Sequence, residues 1–271
     1  MKLALVADTF PPLCTSGAVQ LRDLAREFVR QGHLLTVFLP GHDLAQPWVI
    51  DAIDGVQVVR LRAPHTKNVG YMRRTLGEWF MPYAMRRNLQ KSPLAREQWD
   101  GVIWYSPSIF HAPMVNSLKR QSLCRAYLII RDIFPEWAAD IGLMRRGYVY
   151  RVFKRIAQQQ YEVADIIGVQ TGGNSAYFRD WCQERGGRQL EVLQNWLDKP
   201  ASTRCRIRID ASPLAGLKIA VYAGNMGVAQ GMDCVLDLAE RMRARTDIGF
   251  LFVGRGSEVA RLRDRAIYGG L

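Results

Sequence analysis

The sequence predicts an α/β protein with a largely parallel β-sheet, followed by a second, smaller unit of the same class. Short apolar runs rich in β-branched residues alternate with stretches of helical periodicity from residue 2 to residue 195. The alternation stops in a segment rich in Pro and Ser and starts again near residue 217. With 271 residues, 48% of them hydrophobic and 23% charged, the chain has enough apolar surface for two cores.

The apolar runs of the first unit predict parallel strands that are covered by helices on both faces. They lie at 2–7, 34–39, 56–61, 101–106, 126–131, 165–170 and 190–195. Between the first two runs, Leu21, Leu24, Ala25 and Phe28 recur at helical spacing, and Gly32 ends the pattern. This is the pattern of a βαβ unit, and we interpret residues 1–196 as a Rossmann-like domain.

The second unit begins after a predicted linker at 197–216. The strand "LKIAVYAGN" is followed by a helix with Val235, Leu238 and Met242 on one face, by the strand "IGFLFVG", and by a helix that begins near Ser257. A doubly wound sheet needs about five or six strands. We therefore expect residues 217–271 to be an incomplete domain, as if the sequence were truncated.

Composition limits the setting and the partners. The five cysteines are an odd number and widely scattered, which indicates reduced thiols in a cytoplasmic protein. The first residues resemble a strand more than a signal peptide, and no segment approaches the roughly 20 apolar residues of a membrane span. A net charge of +12 favours an anionic partner, which could be a nucleotide, a nucleic acid or an acidic lipid.

Two loops at predicted carboxyl ends of strands carry candidate site residues. In "DTFPPLCTSGAVQ", Ser16 and Gly17 would lie at a helix N-terminus, which favours a phosphate or carboxylate; the alternative is an N-cap serine with a turn glycine. In "RDIFPEWAADIGL", Asp132 and Glu136 are site candidates, or else a capping Asp and a solvated Glu. Neither a G-x-G-x-x-G fingerprint nor a P-loop is present.

His111 follows the fourth predicted strand and could act as a base or a hydrogen-bond donor, although a lone histidine is more often structural. The other histidines form no metal-binding pattern.

Residues 71–91 combine arginines with regularly spaced apolar side chains. Met72, Leu76, Trp79, Phe80 and Tyr83 share helical spacing, and Arg73, Arg74, Arg86, Arg87 and Lys91 flank them. This composition suits an anionic membrane surface, and it equally suits a core-packed helix with a solvated basic face. Residues 143–156 repeat the basic and aromatic character. Since no RNA- or DNA-binding signature accompanies either segment, we expect no nucleic-acid partner.

Several stretches in order resemble the family 4 glycosyltransferases of the GT-B type, in particular bacterial polysaccharide enzymes of the N-acetylfucosaminyltransferase-like branch. They are "LAREFVRQGHLLTVF", "YSPSIF", "RDIFPEWAADIGL", "ADIIGVQT", "LQNWLD", "VYAGNMGVAQGMD" and "FLFVGRGSE". The resemblance extends over nearly the whole chain.

The resemblance implies a retaining enzyme that uses a UDP-sugar donor and needs no metal or other cofactor. Carried over by position, Gly224, Asn225, Met226 and Gly227 would form the turn at the donor diphosphate, and Gly254 and Gly256 would line the nucleotide pocket. Ser16 and Gly17 would close on the phosphates across a cleft. Asp132 and Glu136 would be the catalytic residues near the acceptor.

Two departures from the family qualify this expectation. Many members place Arg and Lys where this chain has Asn225 and Gln230. The E-x7-E-like segment that usually binds the donor would lie after Leu271, so the 271-residue chain is expected to be weak or inactive.

The expected function is transfer of an N-acetylated deoxyhexose from a UDP-sugar to a lipid-diphosphate-linked acceptor during lipopolysaccharide or O-antigen assembly. The enzyme would lie on the cytoplasmic face of the plasma membrane. The alternatives are a non-catalytic lipid-binding remnant of such an enzyme and a GT-B sugar-nucleotide epimerase.

Overall fold

A single eight-stranded sheet organises the first of two units, Met1–Lys199 and Pro200–Leu271. The computed structural model describes residues 1–66, 69–184, 188–199 and 207–271, without the side chains of Tyr71 and Glu184. The strands of this sheet are β1 (Lys2–Val6), β2 (Leu34–Gly41), β3 (Trp48–Ile53), β4 (Val56–Arg62), β5 (Gly101–Ser106), β6 (Arg125–Ile130), β7 (Ile166–Val169) and β8 (Gln189–Val192). Their order is β3-β4-β2-β1-β5-β6-β7-β8.

Seven of these strands run parallel, which confirms the predicted α/β class. The strand order reverses between β1 and β5, because the chain first builds outward through β2 and β4 and then returns to the other side of β1. In open α/β sheets, ligands bind beyond the carboxyl ends of the strands at such a reversal. The loops after β1, β5 and β6 are therefore the places to look for a site.

Strand β3 was missed by the sequence analysis, which predicted no antiparallel strand. It pairs antiparallel with β4 at the edge of the sheet, from Trp48 opposite Leu61 to Ile53 opposite Val56. The connecting turn is Asp54-Gly55, with φ values of 53° and 78°. An Asp-Gly pair in this conformation makes the tight hairpin turn that matches strand twist, so the dipeptide was the available signal.

The helices of the first unit are α1 (Ser16–Arg30), α2 (Tyr71–Leu89), α3 (Ala112–Ser122), α4 (Glu136–Asp140), α5 (Tyr148–Val163) and α6 (Gly172–Glu184). They build two core clusters with the sheet. Leu21 of α1 packs with Leu5 and Val37 in one cluster. Met85 of α2 and Met114 of α3 pack with Trp104 in the other, where the Trp104 indole also donates to Gln160 Oε1 at 3.0 Å.

The second unit contains a two-stranded parallel sheet of β9 (Lys218–Asn225) and β10 (Ile248–Arg255), with α7 (Asp233–Arg241) and α8 (Val259–Tyr268). Its small core consists of Met226, Met232, Leu236 and Leu262. The predicted inner face of α7 was wrong at Leu238, which is 47% exposed, because Leu236 and Ala239 are the buried positions. Part of the predicted linker, residues 200–206 with Cys205, lies outside the described residues.

Candidate functional site

A polar, open pocket lies at the carboxyl edge of the first sheet. One wall is the segment that follows β6, from Arg131 to Asp140. The other walls come from the start of α5 and the start of α6, and the side chains that they contribute are Arg146, Tyr150, Lys154, Asn174 and Tyr177. Cations, carboxylates and aromatic rings are therefore combined in one cavity, which is the composition of a site for a polar ligand with hydroxyl groups.

Glu136 is the most firmly held acidic residue of this pocket. Its Oε1 accepts hydrogen bonds from the Tyr177 hydroxyl at 2.5 Å and the Tyr150 hydroxyl at 3.3 Å, and it lies 3.1 Å from Lys154 Nζ. Its Oε2 is buried and has no hydrogen-bond partner within the described part of the chain. One oxygen therefore fixes the side chain, and the other is a buried acceptor that has no donor among the described residues.

This arrangement raises the pKa values of two partners of Glu136, Lys154 and Tyr177. Burial disfavours the ammonium group of Lys154, but the hydrogen bond and charge of Glu136 outweigh burial and raise its pKa. Burial, together with the hydrogen bond to Glu136, raises the pKa of Tyr177. Near neutral pH the lysine is therefore charged and the tyrosine is a hydrogen-bond donor, which are the states that hold a Glu136 carboxylate.

Asp132, the second predicted acidic residue, lies at the mouth of the same pocket with an exposed side chain. Partial loss of water raises the pKa of Asp132, and the neighbouring Arg131 guanidinium opposes this shift. The Arg131 guanidinium itself stacks 4.5 Å from the Trp196 ring and 5.9 Å from the Tyr105 ring. The structure thus brings Asp132 and Glu136 together, whereas Arg131 is anchored between two rings.

Ser16 and Gly17 lie apart from this pocket, in the first turn of α1. The alternative interpretation made Ser16 the N-cap, but the N-cap is Thr15, whose Oγ1 accepts a hydrogen bond from the Ala18 amide at 3.2 Å. Ser16 is exposed at the first helical position. A Cβ atom at Gly17 would lie 3.1 Å from the Tyr105 hydroxyl and 3.2 Å from Thr9 Cγ2, so close packing accounts for the glycine.

His111 is fully buried, and neither ring nitrogen has a hydrogen-bond partner among the described residues. Burial lowers its pKa, and the charge of Asp8 opposes that shift. A side chain with no accessible surface does not reach a substrate in this conformation. The structure therefore favours the structural role that the sequence left open for His111.

In the second unit, the glycine turn after β9 is already hydrogen-bonded. The Met226 amide donates to Arg255 O at 2.8 Å, and the Gly227 amide donates to the Gln230 side chain at 3.0 Å. Gln230 Oε1 also accepts from Asn225 Nδ2 at 2.9 Å. The Gly227 amide is held by an exposed side chain, so it could be released to a phosphate without breaking a backbone pair.

Gly254 and Gly256 have steric reasons to be glycine, whereas a Cβ atom at Gly224 would make an ordinary contact, 3.5 Å from the Tyr222 hydroxyl. A Cβ atom at Gly254 would overlap the Gly224 carbonyl oxygen, and one at Gly256 would overlap the Met226 carbonyl oxygen. The ends of β9 and β10 therefore approach so closely that only glycine fits at these two positions. A nucleotide role for them stays a prediction.

Helix α2 exposes the apolar residues that the sequence singled out. Met72 is 82% exposed, Leu76 57% and Phe80 55%, and Trp79 and Tyr83 are also exposed. Met81, Met85 and Leu89 on the opposite side pack into the core. The helix is therefore core-packed with a solvated basic face, as one interpretation had it, but it packs through residues other than the five singled out, which stay exposed as the membrane interpretation requires.

No helix in the described part of the chain is long and apolar enough to span a membrane. Among the described residues, no group of histidine, cysteine and acidic side chains is arranged to hold a metal ion. No disulfide joins the four cysteines that lie in the described segments.

Solved structures share the fold of this chain. Sucrose-phosphate synthase from Thermosynechococcus elongatus gives a TM-score of 0.70, covering 100% of this chain and 68% of the synthase at 14% identity. The catalytic domain of starch synthase IV from Arabidopsis thaliana, bound to ADP and acarbose, gives 0.63 over 98% of this chain and 70% of the domain at 12% identity. The fold is GT-B. It is the fold that the sequence resemblance implied.

One curated protein is similar in sequence to this GT-B chain. WcaI of Escherichia coli (strain K12), assigned as a colanic acid biosynthesis glycosyl transferase, is 27% identical over 201 residues. The match covers 66% of this chain and 46% of WcaI, so the chain spans less than half the length of that relative. No protein-family profile matches the chain.

Proposed function

We propose that the protein transfers a sugar from a nucleotide-sugar donor to a hydroxyl group of an acceptor bound in the Glu136 pocket. The observation that carries the proposal is the half-satisfied Glu136 carboxylate at the carboxyl edge of a GT-B fold. A glycosyl transferase relative with 27% identity and the glycosyltransferase-like fold support the same reaction class.

The pocket provides what an acceptor needs. Glu136 Oε2, which is buried in this structure, would accept a hydrogen bond from the attacking hydroxyl after a small rotation of the carboxylate, while Tyr177, Tyr150 and Lys154 hold Oε1. A new bond forms between the acceptor hydroxyl oxygen and the anomeric carbon, on the face from which the nucleoside diphosphate departs as its own bond breaks, and the hydroxyl proton passes to the Glu136 carboxylate. Asp132 at the mouth would orient the rest of the acceptor. A positioned carboxylate lowers the barrier because the hydroxyl becomes more nucleophilic as its proton leaves.

The donor would bind at the turn that contains Gly224, Asn225, Met226 and Gly227, with Gly254 and Gly256 below it. The family resemblance favours a UDP donor that carries an N-acetylated deoxyhexose, transferred with retention and without a metal. Amide groups near the leaving diphosphate would stabilise its developing charge. In the first unit, Ser16 and Gly17 at the start of α1 would be a separate candidate for binding an anionic group.

The acceptor would be a lipid-diphosphate-linked sugar in surface polysaccharide assembly. The exposed apolar side chains of α2 and its flanking arginines support binding to an anionic membrane through residues 71–91. This would place the protein on the cytoplasmic face of the plasma membrane.

The test is release of UDP from a panel of UDP-sugars, including UDP-N-acetylfucosamine, with and without a lipid-diphosphate-linked sugar. Acceptor-dependent release supports the proposal. A donor that is converted without any acceptor would indicate an epimerase instead. Vesicle binding with no conversion of any donor would indicate a lipid-binding protein, and either result would overturn the proposal.

A further inference from the structure

A second exposed apolar surface lies beside the mouth of the Glu136 pocket. It is formed by residues 141–152, which connect α4 to α5 and include the first turn of α5. Leu143 is 62% exposed, Tyr148 81% and Val149 57%, and Ile141 and Val152 are exposed as well. Since Arg146 and Tyr150 of the same segment line the pocket, this surface borders it directly.

Aromatic ring contacts connect this surface to α2. Phe110 is 6.5 Å from Trp79 of α2 and 6.4 Å from Phe153 of α5, measured between ring centroids. Phe153 lies one turn after Val149 on α5, and its ring is 5.4 Å from Phe134, which precedes the pocket residue Glu136. The exposed side chains of α2 and of residues 141–152 therefore flank one continuous aromatic cluster.

The charges of the second surface are of one sign. Between residues 141 and 156 there are five cations, Arg145, Arg146, Arg151, Lys154 and Arg155, and no acidic residue. Arg145, Arg151 and Arg155 are exposed and form no ion pair with another described residue. Exposed aliphatic and tyrosine side chains between unpaired arginines match a bilayer interface, in which apolar groups enter the acyl boundary and arginines meet lipid phosphates.

We propose that residues 141–152 are a second lipid-contacting surface, which binds an anionic bilayer next to α2 and holds the mouth of the Glu136 pocket at the membrane–water interface. The consequence for substrate is that the acceptor head group enters the pocket from the bilayer and not from solution. This consequence rests on the proposed function, whereas the binding of residues 141–152 to lipid does not.

The experiment compares co-sedimentation of the protein with vesicles of phosphatidylglycerol and phosphatidylcholine. In the variant Tyr148→Glu/Val149→Glu, two carboxylates would have to enter the interface, so we expect partitioning to fall about tenfold or more. The matched control is Leu34→Glu/Leu123→Glu. It changes two residues that are also largely exposed, at 69% and 93%, and that lie at the amino edge of the same sheet.

A variant that is expected to increase partitioning makes the test independent of any loss of folding. Tyr148→Trp enlarges the interfacial side chain and should increase partitioning several-fold. The proposal is overturned if the double variant sediments like its control, or if Tyr148→Trp leaves partitioning unchanged. Release of UDP with a short-chain, water-soluble acceptor is measured in parallel. If the protein transfers sugar but the double variant sediments like its control, only the second surface is rejected. If the double variant no longer sediments but the protein transfers no sugar, only the proposed reaction is rejected.

Discussion

Glu136 has one carboxylate oxygen that is held by several partners and one that has none in the described residues. A buried acceptor atom without a donor destabilises a folded protein by roughly 1–3 kcal/mol. Oε2 of Glu136 is such an atom, while Oε1 has three partners. A ligand hydroxyl would remove that penalty, which makes Glu136 the residue whose replacement is most informative.

We expect Glu136→Gln to lower the rate of transfer by about ten- to a hundredfold, because a hydrogen bond to a charged group contributes roughly 1.5–3 kcal/mol. Tyr177→Phe should lower it less, since Tyr150 and Lys154 still hold the carboxylate. Initial rates of UDP release measure both effects. Glu27→Gln is the control, because Glu27 also accepts hydrogen bonds, from Arg30 and Gln31, but lies on α1 outside the pocket. Full activity of Glu136→Gln would show that the carboxylate is not used.

Gln230 gives a prediction for the donor side. Its carbonyl oxygen occupies the Gly227 amide that a diphosphate would need. Gln230→Lys would release this amide and add a positive charge, so we expect UDP affinity to rise by about tenfold. Gln230→Glu should weaken binding by keeping the amide occupied and adding a negative charge. Calorimetry with UDP decides between these outcomes, and equal affinities for all three proteins would place the diphosphate elsewhere.

Asp233 is the centre of a network of ion pairs that joins helices α7 and α8. Its carboxylate binds Arg261 at 2.9 and 2.8 Å and Arg265 at 2.8 Å, and Arg265 also contacts Asp237 and Glu240. Hydrogen bonds from the two arginines lower the pKa of Asp233 from its ordinary 3.8 to about 2. A carboxylate whose pKa is lower in the folded state stabilises the fold above its ordinary pKa, and this contribution disappears as the pH falls from about 4 to about 2.

We therefore expect Asp233→Asn to lower the melting temperature of the second unit at pH 7 and to flatten its dependence on pH between about 4 and 2. Thermal melts followed by circular dichroism at several pH values measure both. Asp264→Asn is the matched control on α8, since Asp264 is exposed and forms no ion pair with another described residue. If both variants show the same pH dependence as the original protein, the network does not contribute.

Most strands and helices could be predicted from the sequence because continuous apolar runs and helical spacing depend on neighbours along the chain. The prediction missed strand β3 because Asp51, an exposed residue of this edge strand, interrupts its apolar run. The predicted inner face of α7 was wrong because Leu236 and Leu238 both fit a helical pattern. Only packing against Met226 and Leu262 buries Leu236 and leaves Leu238 exposed. Glu136 was a candidate from its place after β6, but its partners Tyr150, Lys154 and Tyr177 come from two other helices.

For the whole molecule, the surface of α2 predicts electrostatic attachment to membranes. Arg73, Arg86 and Arg87 are exposed and form no ion pair within the described residues, whereas Arg74 pairs with Glu78 at 2.8 Å. Each arginine near an anionic surface contributes about 1 kcal/mol, so reversing all three to Glu should weaken vesicle binding by at least about a hundredfold.

Co-sedimentation with phosphatidylglycerol vesicles measures this, and binding by the original protein should weaken as salt is added, because charge attraction is screened over about a Debye length. The control reverses Arg96, Arg120 and Arg125, which are exposed, lie outside α2 and change the net charge equally. Equal loss in both variants would point to net charge and not to α2.

The two-stranded sheet of β9 and β10 has a consequence for handling the protein. In the described residues, each of these strands has a partner on one side only, and Val221 and Val253 are exposed. An open strand edge with apolar side chains is a template for pairing with another chain, so self-association should rise with concentration and temperature. Dilute solutions are therefore the appropriate condition for calorimetry and sedimentation, since aggregates formed through this edge would pellet without any lipid.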